Sequence, residues 1–153
     1  MAEVKRILVA TDFSAASARA LDFAVDMARR YSAAIELLHV LEDPIYGTLY
    51  PDAYFVDLEG LRQQLSADAQ QRLRDEASRH AGAGVAIATH LIVGRPAAVI
   101  LEQAKALGAD AIVLGTHGRS GFQHLVLGSV AERVVRSASC PVITIREPAA
   151  RRS

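Results

Sequence analysis

The sequence predicts an α/β fold, a single domain in which helices alternate with the strands of a parallel sheet. Short apolar runs typical of buried strands alternate along the chain with longer segments of helical periodicity. The length of 153 residues fits one domain with its own hydrophobic core. The composition, with 51% hydrophobic and 22% charged residues, is that of a soluble globular protein.

The first part of the chain is predicted to form a β-α-β unit. Ile7–Ala10 is an apolar run typical of a buried strand, and Ser14 is placed to cap the helix that follows. Arg29 and Arg30 suit the end of that helix, where the dipole favours positive charge. Ile35–Val40 is the second strand, so a parallel pair with a right-handed crossover is expected. The predicted buried face of the helix consists of Ala20, Phe23, Ala24, Met27 and Tyr31.

The middle of the chain is predicted to contain an irregular segment, a long helix and a third strand. Residues 42–56 are irregular, and the tyrosines there either cover a ligand or face a partner: Tyr46, Tyr50 and Tyr54. A polar helix is expected over Asp57–His80, and a strand over Val85–Val93. The inner face of this helix is marked by Leu58, Leu61, Leu65, Ala69 and Leu73.

The last part of the chain is predicted to contain two helices and two strands. Pro96 suits the first position of a helix that ends near Gly108. Ala111–Leu114 is the fourth strand, and a helix is expected near residues 130–138. The fifth strand follows Pro141, which fits the start of a strand at a sheet edge.

Charge and cysteine content exclude several classes of protein. The formal net charge is zero and no basic stripe is present, so nucleic acid is not an expected partner. The single cysteine, Cys140, gives no disulfide framework and is expected to be a buried, inert thiol.

The start of the chain lacks the apolar stretch of a signal peptide, and no membrane span is expected. The cytoplasm is therefore the expected location.

A glycine motif suggests a phosphate site. Gly115-Thr116-His117-Gly118 follows the fourth strand, and after nine further residues Gly128-Ser129 leads into a helix. Glycines let a backbone approach a ligand closely, and the free N–H groups of a helix start attract anions. The alternative is a purely structural loop, with left-handed turns at Gly115 and Gly118 and Ser129 as an ordinary helix cap.

Three loops are expected to meet at one edge of the sheet. Residues 10–14, 39–46 and 115–129 each follow a predicted strand. Ligands of open parallel sheets bind beyond the carboxyl ends of the strands, where the strand order reverses. Asp12, in the first of these loops, either binds a ribose or a magnesium-bound water, or caps the following helix.

Few residues of the chain have a pattern typical of catalysis. His117 is expected to face water rather than act as a base, and Arg119 either pairs with phosphate or is a solvated charge. His39 is interpreted as structural, and no histidine has metal-ligand spacing. Binding is therefore expected to dominate over hydrolysis.

The chain resembles the universal stress protein family over nearly its whole length. The resemblance lies in the stretch from Ile7 to Ser14, in Gly94-Arg95-Pro96, in the spaced glycine motif, and in Cys140-Pro141-Val142. It implies a Rossmann-like, open five-stranded parallel sheet in the order 3-2-1-4-5, with helices on both faces, over residues 1–147. Residues 148–153 are expected to be a disordered tail. Ala10 departs from the family, whose ATP-binding members often have proline there.

The resemblance also implies ligands and partners. Because the glycine motif is intact, it implies an ATP-binding member, with Mg²⁺ expected beside the nucleotide. It implies a homodimer in which the last strand pairs with its copy through Val142, Ile143, Thr144 and Ile145. The residues that the resemblance places at the nucleotide are Ala10, Thr11, Asp12, Val40, Leu114, Gly115, Thr116, His117, Gly118, Arg119, Ser120, Gly128, Ser129 and Val130.

The expected function is that of an ATP-binding sensor or adaptor in the stress response. ATP is expected to order the 115–129 loop and so change the surface offered to a partner. The alternatives are a slow ATPase or self-phosphorylating enzyme, a dimeric interaction module without nucleotide, and a protein that binds AMP or a cyclic nucleotide.

Overall fold

The computed structural model describes residues 3–43, 57–117 and 127–147. The predicted alternation of strands and helices is confirmed in these ranges, and the predictions for Tyr46, Tyr50, Tyr54 and residues 148–153 lie outside them. The elements, in chain order, are β1 (Arg6–Ala10), α1 (Ala15–Tyr31), β2 (Ala34–Leu41), α2 (Leu58–Ser78), β3 (Ile87–Val93), α3 (Pro96–Ala106), β4 (Ala111–Gly115), α4 (Ser129–Ser137) and β5 (Val142–Ile145).

The five strands form one parallel sheet in the order β3-β2-β1-β4-β5. This is the order that the family resemblance implied. In the register of the central strands, Val9 of β1 lies beside Leu37 of β2 and Val113 of β4. The chain runs outward from β1 to β3 and then returns to the other side of β1 as β4. The strand order therefore reverses between β1 and β4, and this opens a crevice at their carboxyl ends.

Helices cover both faces of the sheet and bury alternate residues of each central strand. Helices α1 and α2 pack on one face, against Ile7, Val9 and Val113. Helices α3 and α4 pack on the other face, against Leu8 and Ile112. Because both of their faces are buried, β1 and β4 are nearly continuous apolar runs rather than alternating ones.

Helix α1 lies close to the sheet through a row of four buried alanines: Ala16, Ala20, Ala24 and Ala28. Its cap was predicted correctly, since the Ser14 Oγ accepts a hydrogen bond of 3.2 Å from the Ser17 N–H. The predicted buried face was wrong for Phe23 and Tyr31, which are 45% and 56% exposed. Small side chains allow the close approach, and the larger rings are turned outward.

Helix α2 is capped by Asp57. It buries Ala69 and Leu73, as predicted, whereas the other predicted inner-face residues are only partly buried: Leu58, Leu61 and Leu65. Near its start, the guanidinium of Arg62 binds both carboxylate oxygens of Asp43, at 3.3 and 3.0 Å, and so ties the helix to the end of β2. Glu76 is also buried on this helix, which the sequence pattern did not predict. No helix within the described ranges is long and apolar enough to cross a bilayer.

Strand β5 lies at an edge of the sheet and follows Pro141, as predicted. The Pro141 carbonyl accepts a hydrogen bond of 2.9 Å from the Ile112 N–H, and because proline immediately precedes the strand, its missing donor falls before the first paired residue, Val142. Pairing of this edge with a second copy of the chain stays a prediction.

Candidate functional site

A cleft of about 640 Å³ lies at the carboxyl edge of the sheet, between β1, β2 and β4 and the start of α4. It coincides with the crevice at which the strand order reverses. The predicted site residues that line it are Ala10, Thr11, Asp12, Val40, Leu114, Gly115, Thr116, His117, Gly128, Ser129 and Val130. The other predicted residues, Gly118, Arg119 and Ser120, lie outside the described residues.

Several lining residues were not among the predicted site residues. Leu38, Pro96 and Ile100 contribute apolar surface, and Glu42 adds a carboxylate. Apolar residues in strands and helices carry no sequence signal that separates a ligand-contacting position from a core position. Glu42 lies in one of the three predicted loops, and this position was the only sequence feature that could have placed it at the cleft.

The turn from β1 to α1 presents Asp12 at the cleft. The Asp12 Oδ1 accepts a hydrogen bond of 3.0 Å from the Ser14 N–H, and Ser14, not Asp12, caps the helix. The alternative interpretation of Asp12 as the helix cap was therefore wrong. Phe13, the next residue, has a φ of 65°, which non-glycine residues seldom adopt. Such a turn depends on the contacts that surround it.

The Thr11 side chain lies in a buried polar network behind the turn. Its hydroxyl is 3.1 Å from the Ser17 Oγ and donates to the Glu76 Oε1 at 3.2 Å. Thr11 is only 4% exposed. Its hydroxyl is therefore engaged with α1 and α2, on the inner side of the cleft wall.

His39 has a structural contact with the same turn. Its Nδ1 lies 2.7 Å from the Thr11 carbonyl, and because a carbonyl only accepts, this nitrogen carries the proton. The imidazole also lies against the Phe13 ring, with 4.3 Å between ring centroids. These contacts agree with the structural interpretation of His39, although the residue also lines the cleft.

Gly115 is required by packing rather than by a left-handed turn. It ends β4, and the glycines with positive φ in the described residues are Gly84 and Gly108. A Cβ on Gly115 would lie 3.0 Å from the Ala16 Cβ and 3.1 Å from the Ala16 carbonyl carbon. The alternative of a left-handed turn at Gly115 was wrong, because the glycine instead admits the start of α1.

The start of α4 lines the cleft through Gly128, Ser129 and Val130. Gly128 is the N-cap residue, without a side-chain cap, and its N–H donates to the Thr116 carbonyl at 2.6 Å. Ser129 is the first helical residue, so the interpretation of Ser129 as the cap was wrong. The first N–H groups of a helix have no acceptor within it, and the dipole favours an anion there.

The charges on the described wall of the cleft are acidic. Asp12 and Glu42 contribute carboxylates, and no lysine or arginine is among the described lining residues. The attraction for an anion on this wall therefore comes from the start of α4. The described residues contain no group of three or more side chains arranged to hold a metal ion by themselves.

Two groups near the sheet have altered acidity. Burial raises the pKa of the Glu76 carboxyl, and the nearby Asp12 carboxylate raises it further. Burial also raises the pKa of the Cys140 thiol, which keeps it in the less reactive protonated form. This agrees with the expectation of an inert thiol, although Cys140 is only partly buried and not fully buried as expected.

Comparison with known proteins gives one family. The model of the universal stress protein family matches residues 3–146. A universal stress protein of Methanocaldococcus jannaschii is 33% identical over 145 residues, which cover 94% of this chain and 83% of that relative. The structure of the universal stress protein UspA from Lactobacillus plantarum is 31% identical, with a TM-score of 0.83, and covers 95% of this chain and 100% of its own.

Two similar structures are described with bound nucleotides. One is a universal stress protein in complex with cAMP, 25% identical, with a TM-score of 0.69 over 95% of this chain and 98% of its own. The other is the universal stress protein from Archaeoglobus fulgidus in complex with dAMP, 26% identical, with a TM-score of 0.65 over 95% and 99%.

Proposed function

Because the chain belongs to the universal stress protein family, we propose that it binds an adenine nucleotide in the cleft at the carboxyl edge of its sheet. The observation that carries the proposal is the start of α4, which lines the same cleft as Asp12 and whose first N–H groups have no acceptor within the helix. The cAMP and dAMP complexes of similar proteins support it. The proposed ligand is ATP with Mg²⁺, and the proposed role is a cytoplasmic stress-response sensor or adaptor.

The lining residues suit the three parts of a nucleotide. Ala10, Val40 and Leu114 offer a surface for adenine, with the Val40 backbone reading its edge. Asp12 accepts from the ribose hydroxyls. Gly128, Ser129 and Val130 hold the phosphates through their N–H groups. The stretch from Gly115 to Ser120, whose last three residues lie outside the described ranges, is proposed to contact the phosphates as well.

Titration calorimetry with ATP and Mg²⁺, after removal of any co-purified nucleotide, tests the proposal. We expect saturable binding of one nucleotide per chain. Absence of binding at millimolar concentration would contradict the proposal and favour a nucleotide-free, dimeric interaction module. The proposed ordering of the 115–129 loop falls largely on residues outside the described ranges, and protection of that loop from proteolysis by saturating ATP would test it.

The variant Asp12→Asn is expected to weaken nucleotide binding by about tenfold to a hundredfold, as loss of a hydrogen bond to a charged group does. Asparagine keeps an oxygen for the Ser14 N–H but replaces the other oxygen by an NH₂ group, which accepts nothing from ribose. Calorimetry measures the change. Asp26→Asn, an exposed acid of α1, is the matched control, and equal losses in both variants would contradict a role for Asp12.

Magnesium is expected to strengthen ATP binding by about tenfold or more, because Mg²⁺ is usually held by substrate phosphates with one or two carboxylates. Asp12 and Glu42 line the cleft, and the described wall has no lysine or arginine to offset the phosphate charge. Titration in Mg²⁺ and in EDTA measures the effect, and adenosine, without phosphates, is the control. Equal ATP affinity in both buffers would show that the protein alone neutralises the phosphates.

A nucleoside monophosphate or cyclic nucleotide is the second candidate ligand. The acidic described wall favours a ligand with less charge than ATP, and similar proteins bind cAMP and dAMP. Competition between ATP, AMP and cAMP at fixed Mg²⁺ separates the candidates. For either ligand, hydrolysis is proposed to be slow at most, since phosphoryl transfer needs positive charge at the reacting phosphate.

A further inference from the structure

Glu76 is the only buried residue with an ionisable carboxyl among those the structure describes, and it is 5% exposed. Its Oε1 accepts a hydrogen bond from Thr11, and its Oε2 is buried without a hydrogen-bonding partner among the described residues. A buried polar atom without a partner destabilises a fold. An apolar side chain of similar size would avoid this loss, so the packing of α2 does not by itself explain a carboxyl here.

A chain of hydroxyl groups links Glu76 to the cleft. The Thr11 Oγ1 donates to the Glu76 Oε1 at 3.2 Å and lies 3.1 Å from the Ser17 Oγ. The Ser14 Oγ donates to the Ser17 Oγ at 3.3 Å. Ser14 and Ser17 both line the cleft. The buried carboxyl is therefore connected to the cleft wall.

The turn that carries Asp12 is held on both sides of that residue. The Thr11 Oγ1 accepts a hydrogen bond of 3.1 Å from the Phe13 N–H, and Phe13 has the unfavourable φ of 65°. The guanidinium carbon of Arg72, also on α2, lies 5.6 Å from the centroid of the Phe13 ring. Since Asp12 stands between Thr11 and Phe13, contacts that fix these two neighbours fix the direction of Asp12.

We propose that Glu76 is a positioning residue for the nucleotide site: by accepting from Thr11, it holds the Thr11–Phe13 turn so that Asp12 faces the cleft. The inference rests on the proposed function, because it assigns Asp12 to the ribose. Glu76 touches no part of the ligand and acts only through the turn.

The burial of Glu76 makes the stability of the fold depend on pH. Burial raises the pKa of Glu76, whereas the Thr11 hydrogen bond and Arg79 lower it less. Stability from the raised pKa is complete below the ordinary value of 4.5 and is lost as pH rises through the folded value. The other charged or titratable groups beside Glu76 or its turn are Asp12, His39, Arg72 and His80.

Two substitutions at Glu76 separate positioning from packing. Glu76→Leu removes the acceptor, and we expect it to weaken AMP binding by about fivefold to tenfold and adenine binding by less than about twofold. Glu76→Gln keeps an acceptor for Thr11 and is expected to bind AMP within about twofold of the wild type. Asp75→Asn, an exposed acid one position earlier on α2, is the control.

A double-mutant cycle tests whether Glu76 acts through Asp12. In the Asp12→Asn background, Glu76→Leu is expected to cause no further loss of AMP affinity. Additive losses, or equal losses for adenine and AMP, would overturn the proposal. Thr11→Val removes the donor of the same hydrogen bond and is expected to weaken AMP binding as much as Glu76→Leu does. It provides a second test of the proposal if the leucine variant does not fold.

A measurement without nucleotide separates this proposal from the proposed function. Hydrogen exchange at the Phe13 amide, which donates to Thr11, is expected to be faster in Glu76→Leu than in the wild type or in Glu76→Gln. If exchange is faster in Glu76→Leu but the wild type binds no nucleotide, the proposed nucleotide site is wrong, whereas the role of Glu76 in fixing the Thr11–Phe13 turn is supported. Unchanged exchange would overturn the positioning role even if nucleotide binds.

Discussion

Replacing Gly115 by alanine is expected to destabilise the ligand-free protein by about 1 to 3 kcal/mol, the usual cost of overpacking a core. The added Cβ would lie 3.0 Å from the Ala16 Cβ and 3.1 Å from its carbonyl carbon. Part of this obstacle is backbone, so it cannot rotate away. Relief requires the start of α1 to move, although the alanines of that helix are buried against the sheet.

Urea denaturation without nucleotide measures the effect of Gly115→Ala. Gly82→Ala is the matched control, since a Cβ there meets nothing within 4 Å, and its stability is expected to change by no more than about 0.5 kcal/mol. If Gly115→Ala keeps the stability of the wild type and loses only nucleotide affinity, this glycine serves the ligand and not the packing of α1.

The glycine motif predicted the location of Gly115 but not the reason why glycine is needed there. The spacing of Gly115, Gly118 and Gly128 indicated a phosphate loop, and the structure places the first and last of them on the cleft. The need for glycine at position 115 comes from Ala16, which is almost a hundred residues away in the sequence. No local pattern contains such a contact.

The parts of the fold that local patterns determine were predicted well. Short, mainly apolar runs located the five strands, and Ser14 and Pro96 marked two helix starts. The rotation of α1 about its own axis, which decides the residues that face the sheet, was predicted only in part, because Phe23 and Ala24 are both apolar. Close approach to a sheet selects the smaller side chain, and hydrophobicity alone does not distinguish them.

The buried carboxyl of Glu76 could not be predicted for a related reason. Its position, three residues after Leu73, lies on the inner side of α2, but glutamate is seldom buried without a partner. That partner, Thr11, is 65 residues away in the sequence. Polar networks between distant elements therefore become visible only in the folded chain, and this one adjoins the candidate site.

Replacing Ser129 by aspartate is expected to weaken ATP binding by about tenfold to a hundredfold. This corresponds to repulsion of roughly 1.4 to 2.8 kcal/mol, which lies within the range for two charges about 4 Å apart. Ser129 is the exposed first residue of α4, where the proposed site holds phosphate. The fold is not expected to suffer, because a carboxylate at a helix start stabilises it by about 0.3 to 1 kcal/mol. Calorimetry with ATP and thermal denaturation without it measure the two effects separately.

Two controls make the Ser129→Asp result specific to phosphate. Ser129→Asn has nearly the shape of the aspartate variant without its charge, and is expected to bind ATP within about threefold of the wild type. Adenosine, which has no phosphate, is expected to bind the wild type and Ser129→Asp equally. A parallel loss of adenosine binding would mean that the substitution deforms the cleft. Undiminished ATP binding in Ser129→Asp would mean that the phosphates lie away from the start of α4, and the assignment of this helix as the anion site would be wrong.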